Sequence, residues 1–594
     1  MKKIYLSLVL LLILGTSCKK VLDKQPLNII SDNAVWTDPT LIDSYLTQVY
    51  SEMITFTNDA TNSQSWVAGD MWFDMFNVNE LSDESKALWV DEGYGYKFGN
   101  LKVQGGLLEW WPYNTIRELN DFIARVPAST LDPTLKKQRL AEARFLRAFC
   151  YFGMVKRYGG VPLITVPQSA NDDPSSLYPT RTKEEDIYKF IISELDAASN
   201  DLATSYSSNN LGRPTKYAAL ALECRAALYA GSIAQYGTVL LNGVVGINQA
   251  NTNIYYQKAY DVASAIISSG AYSLYNKIPG DKTKNYRQLF LDKDNPEVIF
   301  SKRHNAIDPR TGGAGWAYDF FQSPAPQAWG GGNQDAPYLE MVEEYENVDG
   351  TSGAYDRTAI QQGLHTTDDL FAKKDPRFAA TIYTQNTIWK GALLQVYKGV
   401  LDANGNVVNG GSYNGILATG ANYYAAVGSN TGFGVLKYLN EGSGADFTWG
   451  TSSQDYIVLR YGEVLLNYAE AAFELNKPTD ALNAINQIRA RAGMPLLTSI
   501  TRDQIRHERK IELAFEGHRY WDLRRWRLAV TQLSKPNSGL QYILDSQTKK
   551  FKILVLNQVD GTVAQPAFYP QNYYFPITLT RTANNKNLVE NPGY

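Results

Sequence analysis

Between residues 455 and 530 the apolar positions fall into a helical rhythm. Tyr461, Val464, Leu465, Tyr468 and Ala472 recur at i, i+3, i+4, i+7 and i+11, the spacing of one buried helix face. The sequence NKPTD interrupts the run, and Pro478 lacks the N–H that would continue a helix. Ala481, Leu482, Ile485 and Ile488 restart the period before Gly493 and Pro495 end it. This pattern predicts a helical hairpin. A related rhythm runs through YYQKAYDVASAIISSGAYSL, with Ala259 and Ala263 at small-residue positions and Gly270 as a stop.

The length of the hairpin and its Ala481-x₃-Ile485 spacing are similar to a tetratricopeptide unit of roughly 34 residues, in which small residues let paired helices approach closely. The clearest helical signals fill about 135 to 270 and 455 to 530. The predicted fold class is therefore mainly α: a frame of tetratricopeptide-like helical hairpins, an α-α superhelix, over 31–270 and 455–530. From about 271 to 450 the texture changes to short polar turns, glycine clusters such as WGGGNQD and NGGSYNG, and isolated aromatics. Turn residues at that density predict a loop-rich, irregular subdomain, and binding residues concentrate on loops held by a rigid scaffold. After about 535, short strands are expected around FKILVL and NYYFPI.

The 594 residues carry a formal net charge of −3 and a pI near 6.0. That balance provides no field for a polyanion, and nucleic acid is excluded as a partner. Aromatic residues reach 12 %, with 39 Tyr and 12 Trp, more than a core of ordinary composition requires, so some are expected at the surface. The chain begins with Lys2 and Lys3, an apolar run from Ile4 to Leu14, and small residues leading to Cys18. The run is too short to span a bilayer and reads as a signal peptide over residues 1–17, of the lipoprotein type, with Cys18 acylated. Cys150 and Cys224 lie in helical apolar patterns and are expected to be buried thiols.

The densest chemistry is RHERKIELAFEGHRYWDLRRW, Arg506 to Trp526. It is not a zincin site, because His507-Glu508 is followed by Ile511 where a second histidine would stand. Glu508, Glu512, Glu516 and Asp522 nearly cancel the six basic residues. Arg509 with Glu512, and Glu516 with Arg519, are i, i+3 pairs on a helix. We read the stretch as an ion-paired, aromatic-packed part of the frame. No nucleophile elbow, phosphate loop, metal-ligand spacing or cofactor motif is found, so no catalytic residue, metal or cofactor is expected. Carboxylate pairs for glycoside hydrolysis stay open, since only spatial separation identifies such a pair.

The same stretch, extended to IRHERKIELAFEGHRYWDLRRW, resembles the C-terminal signature of the SusD/RagB family, outer-membrane nutrient-binding lipoproteins of Bacteroidetes. LDKQP after Cys18, AEARFLRAFCYFGMVKRYGGVPL (141 to 163), LRYGEVLLNYAEAAFELN, ALNAINQIRARAGMP and the terminal NPGY agree in order. The resemblance implies one unit over 18–594, with the loop-rich part at about 271–450 holding the ligand. It also implies a SusC-like TonB-dependent outer-membrane barrel as partner, which the protein would close as a lid. Lys19 and Lys20 depart from the acidic residues common after the lipidated cysteine in surface-exposed members, with only Asp23 nearby. That departure bears on which leaflet displays the protein.

Binding a neutral glycan needs flat apolar faces for sugar rings and a few amides for hydroxyls. Two segments supply them: Trp66 to Trp89, with Trp66, Asp70, Trp72, Asn77 and Trp89, and Trp316 to Asp335, with Trp316, Tyr318, Trp329, Asn333 and Gln334. Trp316 and Trp329 are the expected stacking platforms, whereas Trp110-Trp111 reads as packing. The function expected is capture of an oligo- or polysaccharide at the cell surface, without catalysis, and its delivery to the barrel. A peptide-binding, RagB-like import component and a glycosidase are the alternatives.

Overall fold

The computed structural model describes residues 32–53, 77–87, 96–99, 101, 103, 108–307, 311–324, 333–413, 431–442, 450–560 and 565–594. Its frame is a layer of helices, α1 (Pro39–Ser51), α2 (Tyr113–Arg125), α3 (Pro133–Tyr158), α4 (Glu184–Asp201), α5 (Lys216–Tyr236) and α6 (Thr252–Ser268), continued by α7 (Tyr461–Glu474) and α8 (Pro478–Ala492). From α3 onward each helix packs on the next, and α7 takes its place on α6 although 271–460 intervene. Local chemistry fixes the ends. Asp132 accepts hydrogen bonds from the Thr134 and Leu135 N–H groups with Pro133 at the first helical position, and Gly493 closes α8 in the left-handed conformation at φ 80°.

The small residues act as expected. Ala259 and Ala263 are fully buried, and a Cβ at Gly231 of α5 would press on the Tyr256 ring of α6 at 2.9 Å. In α7 the predicted face is buried except at Tyr468, which is half-buried, and Leu466, Asn467, Glu470 and Ala471 are buried as well. The helix is enclosed on several sides, by α6, α8, α9 (Arg502–Glu512) and α5. Cys150 and Cys224 are buried free thiols, and burial pushes both far above the usual thiol range.

The 271–450 region holds more regular structure than its turn residues indicate. Strand β1 (Ser85–Ala87) lies ahead of it; within or bordering it are β2 (Val298–Lys302), β3 (Asp335–Pro337), β4 (Ile382–Tyr383), β5 (Lys398–Leu401), β6 (Val407–Tyr413), β7 (Gly434–Val435) and β8 (Tyr456–Arg460). β2 pairs antiparallel with β8, so the region leaves and rejoins the frame at one seam. β9 (Gly539–Asp545) and β10 (Phe551–Leu556) complete a four-stranded sheet of order β10-β9-β5-β6. FKILVL is thus a strand as expected. NYYFPI is not: Pro576 has no N–H, and the N–H groups of Phe575 and Ile577 donate to Arg157 O and Glu590 Oε1. A second apolar core, separate from that of the helices, joins Leu339, Val342, Phe378 and Val435 to Phe515, Leu540 and Ile553. The two strands of the tail therefore belong to the irregular half of the molecule, whereas Phe568, Phe575, Ile577 and Leu588 pack in the helical core.

The 506–526 stretch is frame, but its ion pairs differ from those its spacing predicted. α9 ends at Glu512 and Phe515 turns at φ 60°, so residues 512 to 519 leave helical register. Glu512 instead accepts from Arg377, Arg460 and Arg491. Glu516 accepts from Arg460 and Lys437, Arg509 bonds Asp522 at 2.7 Å, and Arg519 reaches Asp83 at 2.8 Å. All except Asp83 and Arg519 are buried. Although burial opposes ionisation, Arg491, Arg460 and Arg377 hold the Glu512 carboxyl well below the ordinary carboxylate range.

Candidate ligand-binding site

The two segments singled out by their tryptophans meet. β1 pairs antiparallel with β3 in the register Ser85↔Pro337, Lys86↔Ala336 and Ala87↔Asp335. The buried Asp335 carboxylate locks the pairing, accepting from Asn79 Nδ2 at 3.1 Å and Ser85 Oγ at 3.0 Å. Lys97 Nζ donates to the carbonyls of Glu80, Ser82 and Ser85, with Asp560 at 4.0 Å and the Tyr338 ring beneath it at 4.5 Å. From behind, Gly517 N–H donates to Asn79 Oδ1 and Phe515 N–H to Glu84 Oε1. The frame's ionic stretch therefore supports the back of this junction.

The residues on either side of 325–332 are clamped together as well. Asn333 N–H donates to Ser323 O and Gln334 N–H to Phe321 O. The Gln322 carboxamide both accepts from Asp335 N–H and donates to Asp335 O, each at 3.0 Å. Burial pushes the Asp335 carboxyl up to about 7, against the pull of Asn79, Ser85 and Lys97. Burial, and then Asp83, push Glu84 up to about 8.

Trp316 is not a surface platform. It is 1 % exposed, with His304 stacked at 4.7 Å and 7° and Tyr318 at 4.9 Å and 26°, and with Tyr438 and Tyr456 edge-on. Its backbone bridges Ser452 in both directions, which draws the indole inward. Burial holds His304 well below its ordinary value, so the ring facing the indole is neutral. Tyr318 is also buried, its hydroxyl donating to Lys437 O. Glycines and prolines near a tryptophan permitted exposure without requiring it; the ring cluster decided against it.

Asn333 and Gln334 are the polar pair of the clamp, and both are buried. Asn333 Nδ2 donates to Phe433 O, while its Oδ1 has no hydrogen-bond partner among the described residues and crowds Gly434, where a Cβ would collide with it and with the Tyr383 ring. Among the described residues neither amide atom of Gln334 finds a hydrogen-bond partner, nor does the Tyr383 hydroxyl. Trp66, Asp70, Trp72, Trp89 and Trp329 lie outside the described residues, and of Asn77 only the backbone is described, at the start of a short helix to Glu80. Asn79, Lys97, Gln322 and Tyr383 carry no signal in the sequence. Their partners lie up to 256 residues away, and no local spacing announces such contacts.

This architecture defines a class: a scaffold of tetratricopeptide-like helical hairpins that carries an irregular, strand-containing half. The comparisons agree. Residues 296–594, half of the chain, match the model of the SusD family, and residues 20–228 match a second model described as "Starch-binding associating with outer membrane". The chain belongs to the SusD family. SusD-like protein P38 of Formosa agariphila is 24 % identical over 568 residues, covering 91 % of this chain and 94 % of that one. A SusD-like protein of Bacteroides fragilis superposes with a TM-score of 0.71 at 25 % identity, covering 96 % of this chain and all of its own. Surface glycan-binding protein A of Bacteroides fluxus superposes with a TM-score of 0.62 at 21 % identity, over 94 % of this chain and all of its own. These likenesses accord with the expected fold.

Proposed function

We propose that the protein is a lipid-anchored, outer-membrane nutrient-binding protein. It would capture an oligo- or polysaccharide at the junction of β1, β3 and β7 and pass it to a SusC-like TonB-dependent barrel as its lid. The observation that carries this reading is the clamp at Asp335, which brings together two segments chosen for tryptophans and amides although Ser85 and Asp335 are 250 residues apart. Stacking recognition requires a rigid support, and this junction ties together the two segments whose sequences carry tryptophans. The family's outer-membrane description and the name of the Bacteroides fluxus relative support the same ligand class. Signal peptide 1–17 and acylation at Cys18 are part of this proposal, as is the absence of catalysis.

Affinity electrophoresis against neutral and acidic polysaccharides, starch among them, tests the reading. Retention is expected with at least one, without release of products. Trp329→Ala should weaken binding of the retained glycan by about tenfold, ~1.4 kcal/mol, with an unchanged melting curve. Binding to peptides alone, or product release abolished by changing one carboxylate, would replace this reading with the peptide importer or the glycosidase.

A further inference from the structure

A cleft of about 420 Å³ opens between α2, the segment 162–179 and the last helix, α11 (Leu579–Asn584), none of which contributes to the junction at β1 and β3. Its size falls in the range of small-ligand sites. Two arginines, Arg117 and Arg581, line it together with asparagines, Gln168, Trp111 and Tyr113, and among the described residues no Asp or Glu does.

The walls are held by bonds that leave the rim unused. Asn120 is fully engaged, donating to Ile164 O and Val166 O and accepting from Arg147. Tyr113 donates its hydroxyl proton to Pro162 O, Gln168 donates to Ser176 O, and Asn585 donates to Pro179 O. Trp111 is half-buried, with Arg581 over its ring at 4.5 Å and Tyr158 edge-on at 5.2 Å. Arg581 also pairs with Glu109, outside the cleft. By contrast Asn114, Arg117 and Asn584 are exposed, and among the described residues their side chains have no hydrogen-bond or ion-pair partner.

We propose that this cleft is a second saccharide site, selective for a sugar carrying a carboxylate or sulfate. Arg117 meets the anionic group, and the free amides of Asn114 and Asn584 meet hydroxyls. The walls are already fixed by the bonds above, so binding has to order only the exposed side chains on the rim. The bordering elements are helices and irregular chain, so no strand edge is present to pair with an extended peptide. That favours a sugar over a peptide carboxylate. The cleft is separate from the junction at β1 and β3 and binds independently of it.

The test uses the full mature chain and two probes of nearly the same shape, digalacturonic acid and its dimethyl ester, titrated by calorimetry. The acid should bind about tenfold more tightly than the ester, the scale of one charge-assisted hydrogen bond. Arg117→Ala should remove that difference without moving the melting curve, because the side chain is exposed and unpartnered. Equal affinities for acid and ester, indifference to Arg117→Ala, or no binding of either would overturn the proposal. Triglutamate binding as tightly as the acid would reassign the cleft to peptide carboxylates. Loss of acid binding in Trp329→Ala would place the acidic sugar at the first site and overturn the second, while the first reading survived.

Discussion

Glu84 sits at the back of the junction with one oxygen on the Phe515 N–H and the other near Ser82 Oγ at 3.3 Å. Burial and Asp83 raise its carboxyl from an ordinary 4.5 to about 8, so the folded protein holds a proton there that the unfolded chain releases near 4.5. Because the folded state binds more protons within that window, stability falls as pH rises from about 4.5 to about 8 and then levels. Glu84→Gln keeps an acceptor for Phe515 and cannot ionise. Denaturant midpoints should therefore decline less between pH 5 and pH 8 in the variant than in the parent, and parallel curves would show that Glu84 is ionised in the fold. Little of this was legible in the sequence. Spacing offered Arg509–Glu512 and Glu516–Arg519 pairs, yet Glu512 turns to Arg377, Arg460 and Arg491, all from other elements. A carboxylate's partner is set by which guanidinium the fold brings near it, and local order carries no record of that.

Elements were legible where their signal is local. The break at Pro478 and the stop at Gly493 bound α8 within the structure as they do in the sequence, because proline and left-handed glycine act on their own turn. β1 and β3 gave no such signal, being three residues each and stabilised by one another. The helix α10 (Arg519–Arg525) shows how the frame uses its aromatics. Trp521 is buried, with Lys156, Arg157 and Arg524 over its rings at 4.4, 5.1 and 4.8 Å and Phe575 stacked at 6.2 Å. It joins α3 to the C-terminal segment. Trp521→Ala should lower unfolding free energy by about 3–5 kcal/mol, read from urea transitions, while glycan affinity in the folded fraction stays within experimental error. An unchanged transition with abolished binding would move α10 from the frame to the site.

At the scale of the whole molecule, two apolar cores meet through the 508–516 stretch, and Phe515 of the second core donates its N–H to Glu84, just ahead of β1, behind the proposed ligand junction. If the protein hands cargo to a membrane barrel, as proposed, it must be held near it. No described helix is long and apolar enough to cross a membrane. The attachment we propose is chemical: the apolar run Ile4 to Leu14, followed by small residues, delivers Cys18 for acylation. Each buried CH₂ of an acyl chain contributes about 0.8 kcal/mol, so several chains together hold a soluble domain at the bilayer surface. The helical frame begins beyond the cysteine and is stabilised by its own cores, so loss of the acyl chains should leave it intact. In cells fed an alkyne palmitate analogue, the parent should label and sediment with membranes. Cys18→Ala should do neither, yet melt as the parent does. Membrane retention of an unlabelled variant would mean that some other part of the chain, or the barrel itself, supplies the attachment.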